Sequence, residues 1–400
     1  MTARSKTFPA RTVGGLAYAM STGGIARAAV PVISTFIISE LAITAAQFGL
    51  SVTVMIAAVA VGVPLFGQLT DRKGARAVLV WRGGTAGLML VGIALSRSFG
   101  QLLFFQALLG IAISGGVPAS NRVVAEAVPL ESRGLAIGAK QAGATGGVLV
   151  AGILIPFIAV SLGWRWSIAA AAVLSALTVP ALYVLVPPSR IDVAQPGSSK
   201  SSWMALLANR STRWLSGHGF ISGAGIAMVF AFLPLYAAAE VGLSPQAAGG
   251  VLSIMSVMAV IARLSWGRIS DVTGDLGLNL RWISGLAIVA VALIGSASTL
   301  GPVTLWTGAL LAGLSMEAWN AVAGNAVISA VPTSQAGRAS SMVQLAFMAG
   351  NATGPVMFGV LVDATESFAP GWVVCAGFFV VATVIRYRPA PVEGIEAPTP

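Results

Sequence analysis

The sequence predicts an all-α integral membrane protein: twelve transmembrane helices in two pseudo-symmetric bundles of six. Three observations predict it. Only 9% of the 400 residues are charged while 56% are hydrophobic, against roughly 25% charged in an ordinary globular domain. Mean hydropathy is +0.87, so lipid is the solvent for most of the chain. The apolar residues fall into stretches of about 18 to 28, long enough as helices to cross a ~30 Å hydrocarbon core. Finally, the two halves of the chain echo one another.

Helices are the expected spans because each satisfies its own backbone where there is no water; short alternating segments of barrel type are absent. The first span, 13–39, follows a basic leader. Its start resembles a signal peptide ending in "ARAA", but apolar character resumes after Arg27, which predicts an uncleaved helix. Between Phe48 and Phe66 the second span, 46–69, has no charged residue. The third, 77–96, has only Arg82. Spans 100–125, 134–160 and 164–186 complete a first bundle within residues 1–186. A Pro-, Gly- and Ser-containing stretch, 187–212, reads as a flexible linker. Spans 213–238, 245–267, 279–299, 302–330, 336–362 and 370–387 form a second bundle within 213–388. The tail 389–400, with four prolines and two glutamates, is expected to be disordered.

Formal charge is +10, which in a soluble protein would suggest nucleic acid. Here the position of the charges excludes that partner. With a cytoplasmic N-terminus, the inner loops and helix ends collect most of the Arg and Lys, and the outer loops hold only Arg97 and Arg165. This bias predicts an inner-membrane protein with both termini cytoplasmic. Cys375 is the single cysteine and forms no internal disulfide. There is no Gly-x-x-x-x-Gly-Lys loop, no Cys/His cluster for a metal, and one histidine, His218. The reading is therefore of no enzyme, no cofactor and no metal; the bilayer and a small molecule are the expected partners.

"GQLTDRKG" at 67–74 reappears as "GRISDVTG" at 267–274, "EAVPLESRG" as "SAVPTSQAGR", and "ATGGV" at 144–148 as "ATGPV" at 352–356. Such duplicated units are typical of secondary transporters, with the substrate site between the repeats. The decapeptide "GQLTDRKGAR" reads as a cytoplasmic hairpin. Gly67 and Gly74 would allow close approach and a sharp turn, and Asp71 would favour the positive end of a helix. This motif resembles the cytoplasmic loop motif of the major facilitator superfamily, and "GRISDVTG" its second-half copy. The resemblance implies two bundles rocking about a cavity lined by the first, fourth, seventh and tenth helices. It also implies that Asp71 and Asp271 are gate residues, set in Gly67, Arg72, Gly74 and Arg76 and in Gly267 and Gly274. Two departures are visible. Gln106 stands where proton-coupled members carry an Arg before a Gly, and Ala142-Gly143 stands where drug antiporters carry Gly-Pro.

Ionisable groups inside spans cost on the order of 2.5–3.5 kcal/mol and point to function. Arg27, midway along the first span with Gly23, Gly24, Pro31 and Ser34 on its face, would suit a carboxylate through its planar fork; otherwise it is a structural Arg on backbone carbonyls. Glu317, with Asn320 one turn on, is read either as a proton carrier or as the fixed partner of a cation such as Arg27. In the first case a proton on Glu317 would free Arg27 for an anion. Lys140 either snorkels or adds to the anion site, and Gln141, like Asn320, is read as a neutral hydrogen-bonding contact, the alternative being a polar residue that holds helices together. Arg82 and Arg122 are expected to snorkel. The functional reading is a secondary transporter for a small organic anion, coupled to protons. A proton-driven drug exporter and a non-transporting membrane sensor are the alternatives.

Overall fold

The computed structural model describes residues 9–188, 209–330 and 333–385, so most of the expected linker and all of the expected tail lie outside the described residues. The helices are α1 (Ala10–Ala28, continued by a 3-10 turn Pro31–Ile33 and by Ser34–Leu41), α2 (Ala45–Lys73), α3 (Ala75–Leu95), α4 (Phe99–Ser114 and Gly116–Ala127) and α5 (Arg133–Leu162). They continue as α6 (Trp164–Ala176 and Thr178–Leu185), α7 (Arg210–Ala239), α8 (Pro245–Thr273), α9 (Leu276–Gly295), α10 (Pro302–Ser315, a 3-10 turn Met316–Ala318, and Trp319–Ala330), α11 (Thr333–Thr365) and α12 (Ala369–Val384). No strand occurs among the described residues. Nine of these helices are long and apolar enough to cross a membrane, or ten when bent α1 counts as one. The other two expected spans are the broken α10 and the shorter α12. The 41° bend of α1 falls just before Pro31, whose ring and missing N–H interrupt a helix.

The decapeptide is not a loop. Helix α2 runs through Lys73, and Gly74 alone joins it to α3 at φ +86°, a left-handed conformation that suits glycine. Gly67 does not serve close approach: nothing lies within 4 Å of where a side chain would begin, and the same holds at Gly267 and Gly274.

Within the first half the main contacts are α1 with α5, α2 with α4 and α3 with α6; six helices later the same pairs recur as α7–α11, α8–α10 and α9–α12. Repeated sequences bury the same faces. The halves meet through α2–α11 and α5–α8, mostly at the end remote from Gly74. There Gly152 and Gly249 pack directly on one another's helices, and Ser253 Oγ donates to the Leu149 carbonyl at 2.9 Å. The Asp363 carboxylate of α11 accepts from the Ala45 and Ala46 amides, both at 2.9 Å, where α2 begins with unpaired N–H groups. At the Gly74 end, every substantial contact of the second halves of α4 and α10 is with its own bundle. Among the described residues the bundles are joined at one end and parted at the other.

Candidate functional site

Four cations and one carboxylate define the interior, and their partners sort them. Arg82 does not snorkel. It is 3% exposed, and its guanidinium donates to the Ala19 carbonyl at 2.5 Å and, more weakly, to that of Ile113 at 3.4 Å. Gly23 and Gly116 flank it so closely that a methyl group at either would press on the guanidinium. The structural arginine on backbone carbonyls, one reading open for Arg27, is therefore Arg82. Gly23 and Gly24 leave no room for Arg27, since Gly23 meets Arg82 and Gly24 meets the Ala144 carbonyl of α5.

Arg27 itself is half-buried, just before the bend of α1. Its guanidinium carbon lies 4.5 Å from the centre of the Phe230 ring on α7, a cation–π arrangement. Among the described residues it has no ion pair or hydrogen bond. Glu317 is not its partner. In the 3-10 turn that breaks α10, Glu317 Oε2 accepts from Arg263 Nη2 of α8 at 2.9 Å. The other nitrogen, Arg263 Nη1, donates to Thr145 Oγ1 of α5 at 2.6 Å. Arg263 thus ties the carboxylate of one bundle to a hydroxyl of the other. Arg27 lies within electrostatic range of both Glu317 and Arg263. The site is built from α1, α5, α7, α8 and α10.

Lys140 neither snorkels nor joins this group. It is 1% exposed, and its Nζ donates to Ser120 Oγ at 2.8 Å and Asn121 Oδ1 at 2.5 Å, so its amine is engaged on α4. Gln141 and Asn320 are both exposed, and neither touches Arg27 or Glu317 through a hydrogen bond. Gln106 is buried with both amide atoms unpartnered. His218 is enclosed by Ser222, Ser284 and the Trp319 indole N–H, which donates to Nδ1 at 2.9 Å.

At the parted end, Asp71 accepts from Arg122 Nη1 at 2.6 Å, while Arg122 Nε donates to Glu126 at 2.7 Å. Arg122 is therefore paired rather than snorkelling, and Asp71 faces a guanidinium rather than helix amides. Arg72 is exposed; Arg76 covers Tyr183 and reaches the Val186 carbonyl at 3.3 Å. The backbone of Asp271 lies in α8, and its side chain is outside the described ones.

Sequence reasoning passed over Arg263, although a guanidinium four residues inside the end of the span 245–267 was a visible signal. Thr145 and Phe230 gave none: a threonine and a phenylalanine in an apolar helix look like packing.

Paired helices repeated in two bundles, parted at one end around half-buried charges, define a multi-pass membrane transporter. Residues 13–316 match the family description Major Facilitator Superfamily. The chain belongs to that family. It is similar to the multidrug resistance protein MdtG of Proteus mirabilis (strain HI4320), 27% identical over 84% of this chain and 82% of the relative. It also resembles the 3-(3-hydroxy-phenyl)propionate transporter of Escherichia coli (strain K12), 25% identical over 62% of this chain and 60% of that one. Among solved structures, a bacterial homolog to the human lysosomal transporter Spinster, inward-facing and unoccupied, superimposes with a TM-score of 0.80. It is 17% identical and covers 96% of this chain and 100% of its own.

Proposed function

We propose that the chain is a secondary transporter for a small organic anion, working by alternating access, with Arg27 as its principal ligand contact. The observation that carries this reading is the charge balance. Glu317 is engaged by Arg263, so among the described residues Arg27 has no ion pair or hydrogen bond; it lies against the face of Phe230 and stands ready for a carboxylate, whose two oxygens match its planar fork. Phe230 beside it favours a flat or aromatic acid, and the relative named a 3-(3-hydroxy-phenyl)propionate transporter supports trying such acids first. Gln141 and Asn320, exposed on α5 and α10, supply neutral contacts; Lys140 is left out of the ligand shell. Asp71, through Arg122, and Asp271 in the second copy act as gate residues. The bundles are 1–186 and 213–388 with the linker 187–212 between them, and the basic bias of the Gly74 end supports a cytoplasmic position for it and for both termini. In that orientation the described state is open to the inside of a cell's inner membrane.

Drug export is the second reading, favoured by the several relatives named multidrug resistance proteins. For a cationic drug it needs a carboxylate free to hold the charge, and Glu317 is engaged by Arg263; a hydrophobic drug makes no such demand. The test is binding of mono- and dicarboxylates, neutral sugars and organic cations to the wild type and to Arg27→Lys and Arg27→Gln. A carboxylate binds tightest, weakens about tenfold or more in Arg27→Lys, and is lost in Arg27→Gln. A neutral or cationic ligand that binds tightest and survives Arg27→Gln overturns the assignment.

A further inference from the structure

We propose that Lys140 is a positioning residue for the gate at the parted end: its ammonium fixes the rotation of the second half of α4 and so holds Arg122 facing Asp71. The inference rests on the gating part of the proposed function and adds to it a residue that makes no ion pair with Asp71.

An ammonium at 1% exposure is costly, because a charge taken out of water is tolerated only where it is paired or hydrogen-bonded. Among the described residues no carboxylate comes within ion-pair distance of Lys140 Nζ. Its partners are two neutral oxygens on consecutive residues of α4, Ser120 Oγ at 2.8 Å and Asn121 Oδ1 at 2.5 Å. The duplication does not call for the charge either. Four residues before "ATGGV" stands Lys140, and four before its copy "ATGPV" stands Met348. A cation kept in one copy at a cost in solvation points to a task that belongs to that copy.

That task is legible one residue further on. Arg122 follows Asn121 and is the guanidinium of the gate, with Nη1 on Asp71 at 2.6 Å and Nε on Glu126 at 2.7 Å. Where Arg122 points depends on how the segment Gly116–Ala127 is turned about its own axis, since neighbouring residues of a helix are set about 100° apart. The break at Gly115 interrupts α4, so the first half does not impose that rotation. Besides Ser120, the buried side chains of the segment are Ala119, Val123 and Val124, and apolar burial is non-directional. Hydrogen bonds to a fixed point are directional. Lys140 supplies such a point, because α5 is seated on α1 where Gly143 and Gly147 lie directly against the backbone of Ala17 and Ser21. The half-helix is pinned to α5 on one side and presents Arg122 to α2 on the other.

The experiment uses full-length protein in nanodiscs, without ligand. Spin labels go on Leu135→Cys and Val272→Cys, exposed positions at the start of α5 and the end of α8; the native Cys375 is buried. The distances between labels give the ratio of open to closed forms at the parted end. Asp71→Asn is expected to shift that ratio by at least about fivefold. Lys140→Met, which installs the residue of the second copy, is expected to shift it in the same direction and to a similar extent. The double variant is expected to go no further, because residues that act through one contact are not additive. Asn121→Leu is expected to reproduce Lys140→Met, while Asn121→Asp keeps an acceptor for the ammonium and the wild-type ratio. Melting of Lys140→Met is expected to be no lower than wild type, since the variant removes an unpaired buried charge and the exposed Asn121 turns to water. The Kd of benzoate, read by calorimetry, is expected to be unchanged.

A wild-type ratio in Lys140→Met overturns the inference while leaving the gate intact, provided Asp71→Asn shifts it; if Lys140→Met does not fold, Asn121→Leu decides in the same way. A shift that multiplies with that of Asp71→Asn overturns it too. Melting lowered alike by Lys140→Met and Asn121→Leu assigns Lys140 to the fold, and a weakened benzoate Kd makes it a ligand contact; either ends the positioning role. If Asp71→Asn leaves the ratio unchanged, the gate reading falls and this inference with it. The ratio needs no ligand, so the result stands whether or not the organic-anion reading does.

Discussion

Two regions of this membrane interior hold the same chemical group and treat it in opposite ways. Around Arg82, backbone carbonyls of α1 and α4 accept from the guanidinium, and glycines close the space on two sides. Around Arg27 and Arg263 the partners are a ring face, a hydroxyl and a carboxylate, all of them side chains rather than backbone. Carbonyls of packed helices cannot leave, so Arg82 is part of the fold. Side chains can change partners, so Arg27, the proposed ligand contact, is not built into the fold in the same way. A charged residue in a span points to function only when its partners are exchangeable.

The largest effect should come from breaking the fixed region. Gly23→Ala drives a methyl into the Arg82 guanidinium and should cost on the order of 3 kcal/mol, seen as a marked loss of yield and of thermal stability in detergent. A variant with unchanged melting would remove the distinction between the two arginines. Arg27→Gln should do the reverse, abolishing carboxylate binding. Its melting should stay within a few degrees of wild type, since a cation–π contact is worth only about 0.5–2 kcal/mol. Melting as poor as that of Gly23→Ala would make Arg27 structural too.

Asp71→Asn sharpens the comparison at the parted end, where the Asp71–Arg122 pair is the exposed counterpart of the interior ones. Turnover in proteoliposomes should fall on the order of tenfold, a coupling of about 1.4 kcal/mol, while ligand Kd stays within a few-fold; equal rates at matched protein levels would end the gating proposal. The smallest effect is expected from Thr145→Val, which removes one hydrogen bond between the bundles, worth about 0.5–1.5 kcal/mol. It should shift the balance between end-specific cysteine accessibilities by two- to tenfold, toward opening of the sealed end.

The spans, the duplication and the family were legible in the linear sequence, because each depends on composition within a window or on a repeated motif. Hydrophobic length places a helix in a bilayer wherever its neighbours are, and the copies 67–74 and 267–274 carry the repeat without any contact. The rotation of each helix about its own axis was not legible. That rotation turned Lys140 toward Ser120 and Asn121, gave Glu317 to Arg263 rather than Arg27, and enclosed Arg82 where a position near a span's end suggested snorkelling. The sequence by itself determined that ionisable residues fall within the spans. Only the tertiary structure decided which are neutralised and which are left for a ligand, because a charge in apolar surroundings is settled by atoms within a few ångströms, and those atoms come from other helices.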